Sequence, residues 1–231
     1  MNKKFTVYTF TLVILIWVIA SSIFYKIEYE NKPRYKEEII PAPYLYNFYV
    51  PSNPVINEPY YGSPGTSITM VAFLDVDSEA SKFFIKDILP NIKKNYIDKG
   101  AIKFYHKNYV TLEDIENKNN NFKYSLILSC IKKLKQENYY DFYFDLFSTS
   151  NIKELIKKYN IPIKEYNDCV SKKNLDQIHA DALEVENLGI IAINQRFYIG
   201  IAGRDNTVFD GIPKYVRFQK AIRQYEIQVG N

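Results

Sequence analysis

From about residue 66 onward, the spacing of hydrophobic residues alternates between the period of a strand and that of a helix. Four short runs are rich in β-branched and apolar residues or alternate with polar ones, as strands do. They cover residues 67–73, 101–106, 196–201 and 207–209. Residues 203–206, Gly-Arg-Asp-Asn, separate the last two runs and predict a tight antiparallel hairpin.

Hydrophobic residues three and four positions apart predict the helices that separate these strands. The first helix begins after a cap at Asp77 or Ser78 and ends near Gly100. Residues 110–188 then keep helical spacing, and a final helix starts at Pro213. The order βαβ, helical block, ββα implies that the first two strands are parallel and joined by a crossover.

The N-terminal segment predicts a transmembrane anchor within residues 1–25. Residues 5–24 contain no charged residue and follow Lys3 and Lys4. A helix of about 20 residues is about 30 Å long, which matches the hydrocarbon core of a bilayer. The alternative is a cleaved signal peptide, because Ala-Ser-Ser at residues 20–22 offers a cleavage site between small residues.

Residues 26–65 have the composition of a linker. They contain seven of the ten prolines and several tyrosines. Proline restricts φ and removes a hydrogen-bond donor, so this stretch is expected to be extended and semi-rigid. The folded domain is therefore predicted to occupy residues 66–231.

Composition changes this picture little. Hydrophobic residues make up 47% of the chain, which allows a packed core. The net charge of +4 is small and its positive residues are spread along the sequence, so no nucleic-acid partner is expected.

Five segments resemble the DsbA-type family of thioredoxin-fold proteins. In that family, an aromatic-rich strand and an aspartate lead into a Cys-x-x-Cys at a helix start, and residues 71–84 resemble this arrangement. The other segments are residues 88–90, 96–104, 139–147 and 188–194. The resemblance implies an α/β thioredoxin fold with a helical subdomain inserted at about residues 110–188.

The chain departs from that family at its catalytic positions. Ser78 and Ser81 replace the two cysteines, and Asn194 replaces the cis-proline. Family catalysis needs a thiolate that attacks a disulfide, and a serine hydroxyl cannot form a mixed disulfide. We therefore expect no catalytic residue at this degenerate site, although the helix N-terminus still favours a bound anion.

Cys130 and Cys169 are the two cysteines of the chain. An even pair in an exported domain favours a structural disulfide, and the resemblance implies a bridge within the helical insertion. Two unrelated buried thiols are the alternative. His106 and His179 lack the spacing of a zinc site, and residues 113–116 predict a solvated acidic face, so we expect neither metal nor cofactor.

The resemblance implies an envelope-exposed protein of the bacterial inner membrane, with one membrane span and its C-terminal domain in the periplasm. The signal-peptide alternative implies secretion instead. The expected function is the binding or scaffolding of envelope proteins or extended peptides without redox catalysis. The competing hypothesis is a divergent thiol–disulfide oxidoreductase that uses Cys130 and Cys169.

Overall fold

The computed structural model of the protein describes residues 58–149, 151–172, 175–190, 195–201, 204 and 206–230, together with Trp17 and Ser21. The chain divides into two compact units, Met1–Pro43 and Tyr44–Asn231, and the elements below belong to the second. Apart from Trp17 and Ser21, the predicted anchor lies outside the described residues, as does the linker before residue 58. None of the helices that the structure describes has the length and hydrophobicity needed to cross a bilayer.

The four strands within the described residues form one mixed sheet, in the order β2-β1-β3-β4. They are β1 (Ile68–Leu74), β2 (Ile102–Asn108), β3 (Gln195–Ile201) and β4 (Asn206–Asp210). β1 pairs with β2 in parallel, whereas β3 is antiparallel to both β1 and β4. All four predicted strands are confirmed, each end within two residues, although most of the hairpin loop lies outside the described residues.

Helix α1 connects β1 to β2 and consists of four consecutive stretches. Glu79–Phe83 and Leu89–Ile92 are α-helical, whereas Phe84–Ile88 and Lys93–Ile97 have the wider hydrogen bonding of a π-helix. Pro90 cannot donate the backbone hydrogen bond that a continuous α-helix needs at its position. Gly100 follows with φ at 71°, so the helix ends near the residue that the sequence predicts.

Among the described residues, six α-helices and a short 3₁₀ turn at Gln136–Asn138 form the predicted insertion between β2 and β3, and one helix follows β4. The insertion contains α2 (Leu112–Asn117), α3 (Asn120–Leu134), α4 (Tyr139–Leu146), α5 (Ile152–Lys158), α6 (Ile163–Lys172) and α7 (Leu175–Asn187). The last helix is α8 (Tyr215–Val229). This is the thioredoxin-like fold with a helical insertion that the sequence predicts.

The sheet is covered on both faces, which explains why its strands are hydrophobic along their whole length. Phe84 of α1 and Phe218 of α8 pack on Phe104 and Phe197 of the sheet in the main core. Strand side chains on the opposite face of the sheet form a second, smaller cluster with the end of α7. The carboxyl end of β1, where the degenerate motif begins, is therefore held between two packed layers.

The end of the predicted linker packs against the sheet and the insertion. Tyr61 forms two backbone hydrogen bonds with Phe104 of β2, each 2.9 Å long. The hydroxyl of Tyr140 donates to the Pro59 carbonyl at 3.0 Å, and Glu58 forms an ion pair with Lys132 of α3. Residues 58–61 are thus part of the folded unit.

Candidate functional site

The turn between β1 and α1 is held by Asp75. Its Oδ1 accepts a hydrogen bond from the Asp77 N–H at 2.8 Å, and its carbonyl accepts one from the Ser78 N–H at 3.2 Å. Aspartate favours such turns because its short side chain reaches the backbone two residues on. The turn places Ser78 at the N-cap of α1, one of the two cap positions that the sequence predicts.

Ser78, the first degenerate position, bonds to another strand instead of capping its own helix. Its side chain makes no capping hydrogen bond, and its Oγ accepts one from Gln195 Nε2 at 2.8 Å. Gln195 is the buried first residue of β3. It directly follows Asn194, the third degenerate position, which lies outside the described residues. The fold thus brings the start of α1 beside the chain that leads into β3.

Ser81, the second degenerate position, faces the protein interior. Its exposed fraction is 0%, and its Oγ has no hydrogen-bond partner among the described residues. A serine becomes a nucleophile only when a neighbouring base accepts its proton. Neither Ser78 nor Ser81 is bonded to such a base, since the partner of Ser78 is an amide. The pair therefore has no evident nucleophilic chemistry.

A polar cavity of about 340 Å³ adjoins this turn and is lined by Asp75, Asp77 and the three asparagines at residues 119–121. Asn120 Nδ2 donates to Asp77 Oδ2 at 2.9 Å, which links the start of α3 to the turn. Burial raises the pKa of Asp75, and hydrogen bonds from the Asp77 N–H and the Asn121 side chain oppose the rise only in part. The cavity offers amide and carboxylate groups rather than thiols.

The charge at the start of α1 is negative. Asp77 is exposed just before the helix, and Glu79 lies in its first turn, where it pairs with Lys82 at 2.7 Å. Carboxylates stabilise a helix N-terminus because they lie at the positive end of its dipole. These carboxylates would repel an added anion. The corner formed by residues 75–79, at the turn between β1 and α1, therefore suits anions less well than the sequence suggests.

Sequence analysis did not identify Gln195 or residues 119–121 as parts of this site. Gln195 carried one signal, since it is a polar residue at the start of a hydrophobic strand and directly after a family position. The three consecutive asparagines carried another, because asparagine favours the N-cap that Asn119 forms for α3. Neither signal indicates which distant residue the side chain meets.

The predicted disulfide between Cys130 and Cys169 is present. It joins α3 to α6 across 39 positions of the sequence, with the Cα atoms 5.9 Å apart. Cys130 lies within α3 and is fully buried, and Cys169 lies within α6 and is half-buried. Reactive cysteines occupy exposed positions near helix N-termini or cationic groups. This bridge has the position of a structural crosslink.

His106 of β2 is buried within a cluster of tyrosines. Its Nδ1 lies 2.9 Å from the Tyr139 hydroxyl, and its ring centroid is 4.0 Å from that of Tyr143. Burial lowers the pKa of His106 to about 3, and the positive charge of Lys107 contributes in the same direction. His106 is therefore a neutral core residue at neutral pH.

The remaining candidate residues do not converge on one site. His179 is exposed on α7, whereas His106 is buried. Within the described ranges, no group of three or more histidine, cysteine or acidic side chains is arranged to hold a metal ion.

One residue of the predicted acidic face is buried, which corrects that prediction. Asp114 accepts a hydrogen bond from the Thr111 N–H at 2.7 Å, and Thr111 Oγ1 accepts one from the Asp114 N–H at 3.1 Å. This reciprocal capping box holds the start of α2. Glu113 and Glu116 are exposed, as predicted.

Comparisons with known proteins agree with this fold. A family model described as thioredoxin matches residues 55–200, which is more than half of the chain. The structure is similar to that of α-DsbA1 from Wolbachia pipientis, with a TM-score of 0.62 and 20% identity, over 74% of this chain and 92% of that one. No curated protein sequence matches the chain significantly.

Two other solved structures are similar over comparable lengths. The thiol–disulfide exchange protein α-DsbA2 from Wolbachia pipientis has a TM-score of 0.60 and 24% identity, over 76% of this chain and 91% of that one. Oxidised BdbD from Bacillus subtilis has a TM-score of 0.57 and 19% identity, over 73% and 92%. The chain therefore belongs to the thioredoxin family and has the fold of its DsbA-like members.

Proposed function

We propose that this protein is a redox-inactive, membrane-anchored member of the DsbA-like family that binds envelope proteins or extended peptides. The observation that carries the proposal is the pair of serines at the start of α1. Exchange requires a thiolate that attacks a disulfide and forms a mixed disulfide. The Ser78 hydroxyl accepts a hydrogen bond from Gln195 instead, and Ser81 is buried.

The binding role is supported by what remains of the corner. Ser78 is half-buried beside the chain entering β3, and the polar cavity of about 340 Å³ adjoins it. The asparagine amides and the carboxylates that line this cavity can hydrogen-bond to the backbone of an extended peptide. Binding of this kind requires no thiol.

The proposed location outside the cytoplasm is supported by the disulfide and by the apolar run. Disulfides persist in oxidising compartments such as the periplasm, and the Cys130–Cys169 bridge accounts for both cysteines of the chain. Residues 5–24, without a charged side chain, are long enough to hold the protein in a bilayer.

The competing function, an oxidoreductase that uses Cys130 and Cys169, has less support. An attacking thiolate must approach one sulfur of the bridge, yet Cys130 has no exposed surface and Cys169 is half-buried. Both cysteines also lie inside helices, away from the helix N-termini that lower a thiol pKa.

The full-length protein is expected to reduce insulin and to oxidise a dithiol peptide no faster than buffer alone. Insulin reduction requires a free thiol and peptide oxidation requires an accessible disulfide, whereas the two cysteines form one bridge whose Cys130 side is fully buried. Turbidity from insulin reduction and the fluorescence of a labelled peptide measure the two rates, with an active DsbA protein as positive control. Activity that disappears in a Cys130→Ala, Cys169→Ala variant would establish the competing function.

Binding is measured separately on the same protein. A permanently unfolded probe, reduced and alkylated α-lactalbumin, is expected to bind the wild-type chain and to bind an Asp77→Lys variant at least five-fold more weakly. Glu116→Lys makes the same charge change at an exposed position of α2 and serves as the matched control. Equal affinity of both variants would place the bound probe away from the corner.

Restoring the two cysteines is expected to restore little catalysis unless the proline is restored as well. The Ser78→Cys, Ser81→Cys variant places thiols at a helix start, yet a cis bond before Asn194 would cost about 2.5–4 kcal/mol. We expect at least ten-fold faster peptide oxidation when Asn194→Pro is added. The same triple variant with Asn194→Ala is the control. A double variant as fast as an active relative would show that Asn194 is tolerated.

A further inference from the structure

An apolar groove lies between α5 and α6 in the helical insertion, and the functions considered above do not use it. Its volume is about 760 Å³. Its floor consists of the buried side chains of Ile156, Ile161 and Tyr166. At its edge, Ile163 is 55% exposed. The groove is thus a continuous apolar surface from the core outward, which differs from an isolated exposed side chain.

The connection between the two helices keeps the groove open. Asn160 adopts a left-handed conformation with φ at 49°, and Pro162 follows two residues later. The Ile161 N–H closes the end of α5 by donating to the Ile156 carbonyl at 2.9 Å. The chain therefore turns sharply and α6 starts in a new direction, tied to α3 by the disulfide.

The polar part of the groove lining carries positive charge. Lys153 and Lys157 are exposed, lie four positions apart on α5 and both line the groove. Neither forms an ion pair with another described residue, whereas the adjacent Lys158 pairs with Asp145. Like charges four apart on a helix repel each other, so a carboxylate between them would be stabilising. Glu154 lies on the same helix but does not line the groove.

We propose that this groove is a docking site for a partner-protein segment that presents apolar side chains together with carboxylates. The apolar floor accommodates the hydrophobic side chains, as in the docking of an amphipathic helix in a groove. Lys153 and Lys157 select acidic residues beside them. A small ligand would leave much of its surface in water here, whereas small-molecule sites usually bury 70–90% of the ligand.

The test uses the full-length chain in phosphatidylcholine nanodiscs and a fluorescein-labelled helical peptide of leucine and glutamate, with leucines at i, i+3, i+4 and i+7. Fluorescence anisotropy is expected to show binding that weakens at high salt. Lys153→Glu with Lys157→Glu should weaken it at least ten-fold, and Ile163→Ser at least five-fold. The same peptide with lysine in place of glutamate should bind the charge-reversed variant better than it binds the wild type.

Matched variants control for net charge and for loss of an exposed apolar residue. Lys94→Glu with Lys133→Glu makes the same charge change at exposed positions, and Leu183→Ser removes a side chain that is 49% exposed. Both controls should bind the glutamate peptide like the wild type. Equal weakening by the controls, no preference for glutamate over lysine, or no binding of the peptide would each overturn the proposal.

A lipid surface is the other possible occupant and is tested directly. Sedimentation with phosphatidylglycerol vesicles that depends on Lys153 and Lys157, without peptide binding, would assign the groove to the membrane and overturn the proposal. The inference does not depend on the function proposed for the corner, because Asp77→Lys should leave binding of the glutamate peptide unchanged.

Discussion

Replacing Cys130 and Cys169 by alanine is expected to lower the free energy of unfolding by about 4 kcal/mol. The bridge closes a loop between residues 39 positions apart. In the chain-entropy account, this constraint removes conformations from the unfolded chain and stabilises the folded one by that amount. Alanine is preferred to serine because Cys130 is fully buried, and a buried hydroxyl without a partner would add its own cost.

Urea unfolding monitored by far-UV circular dichroism measures this difference. The full-length wild type is compared before and after reduction of its disulfide. The reduced wild type should match the double variant, and the variant should not respond to reductant. We also expect faster amide hydrogen exchange in α6, since the bridge ties this helix to α3. A double variant within about 1 kcal/mol of the oxidised wild type would contradict the chain-entropy account.

Lowering the pH from 6.5 to 4.5 is expected to destabilise the protein by about 2–3 kcal/mol through His106 alone. The pKa of His106 is about 3 in the folded protein and 6.5 as the ordinary value. Between these values, the unfolded chain binds a proton that the folded one does not. The stabilising contribution of neutral His106 is therefore complete above pH 6.5 and is lost as the pH falls toward 3.

The ionisable side chains around His106 determine which other residues contribute to the pH dependence of stability. Tyr139 and Tyr143 stay neutral because burial raises the pKa of each hydroxyl well above its usual value. Lys107 and Lys132 oppose a positive charge on the imidazole. Asp181 and Glu58 line the small cavity beside it, and burial raises the pKa of Asp181 above its ordinary value, which gives a pH dependence of the opposite sign.

The contribution of His106 is isolated by comparing variants. His106→Gln should flatten the dependence of unfolding free energy on pH by about 1.4 kcal/mol per pH unit between pH 4.5 and 5.5. His179→Gln removes the exposed histidine and should leave the slope unchanged. Urea titrations at each pH measure the slopes. Identical slopes for wild type and His106→Gln would show that folding does not lower the pKa of His106.

Local sequence was sufficient for the elements of this fold. A strand that is buried on both faces must be apolar throughout, as in Ile68–Leu74, and a helix packed on one side repeats its apolar residues every three or four positions. Helix ends were also predictable, because Ser78 and Gly100 have the conformations that caps and stops require. Two cysteines leave one possible pairing, and the expected export of the domain together with the family resemblance favoured it over two unrelated thiols.

The contacts of the candidate site were decided by tertiary structure. Ser78 meets Gln195, 117 positions away, and Asp77 meets Asn120, 43 positions away. No local pattern specifies such partners, since they depend on how the sheet and the insertion pack together. The burial of Asp114 was also decided by the tertiary structure, because its place in a charged run predicts exposure. Its capping partner Thr111, by contrast, lies only three residues away in the sequence.

Burial likewise distinguished residues that the sequence treats alike. Ser81 faces the core from α1, whereas Ser78 at the start of that helix is half-buried. His106 is buried in β2, whereas His179 lies on the exposed face of α7. Period and capping are short-range consequences of backbone geometry, and one sequence window contains them. Solvation, pKa and partner choice depend on atoms that the chain brings together only when it folds, so the tertiary structure alone decided them.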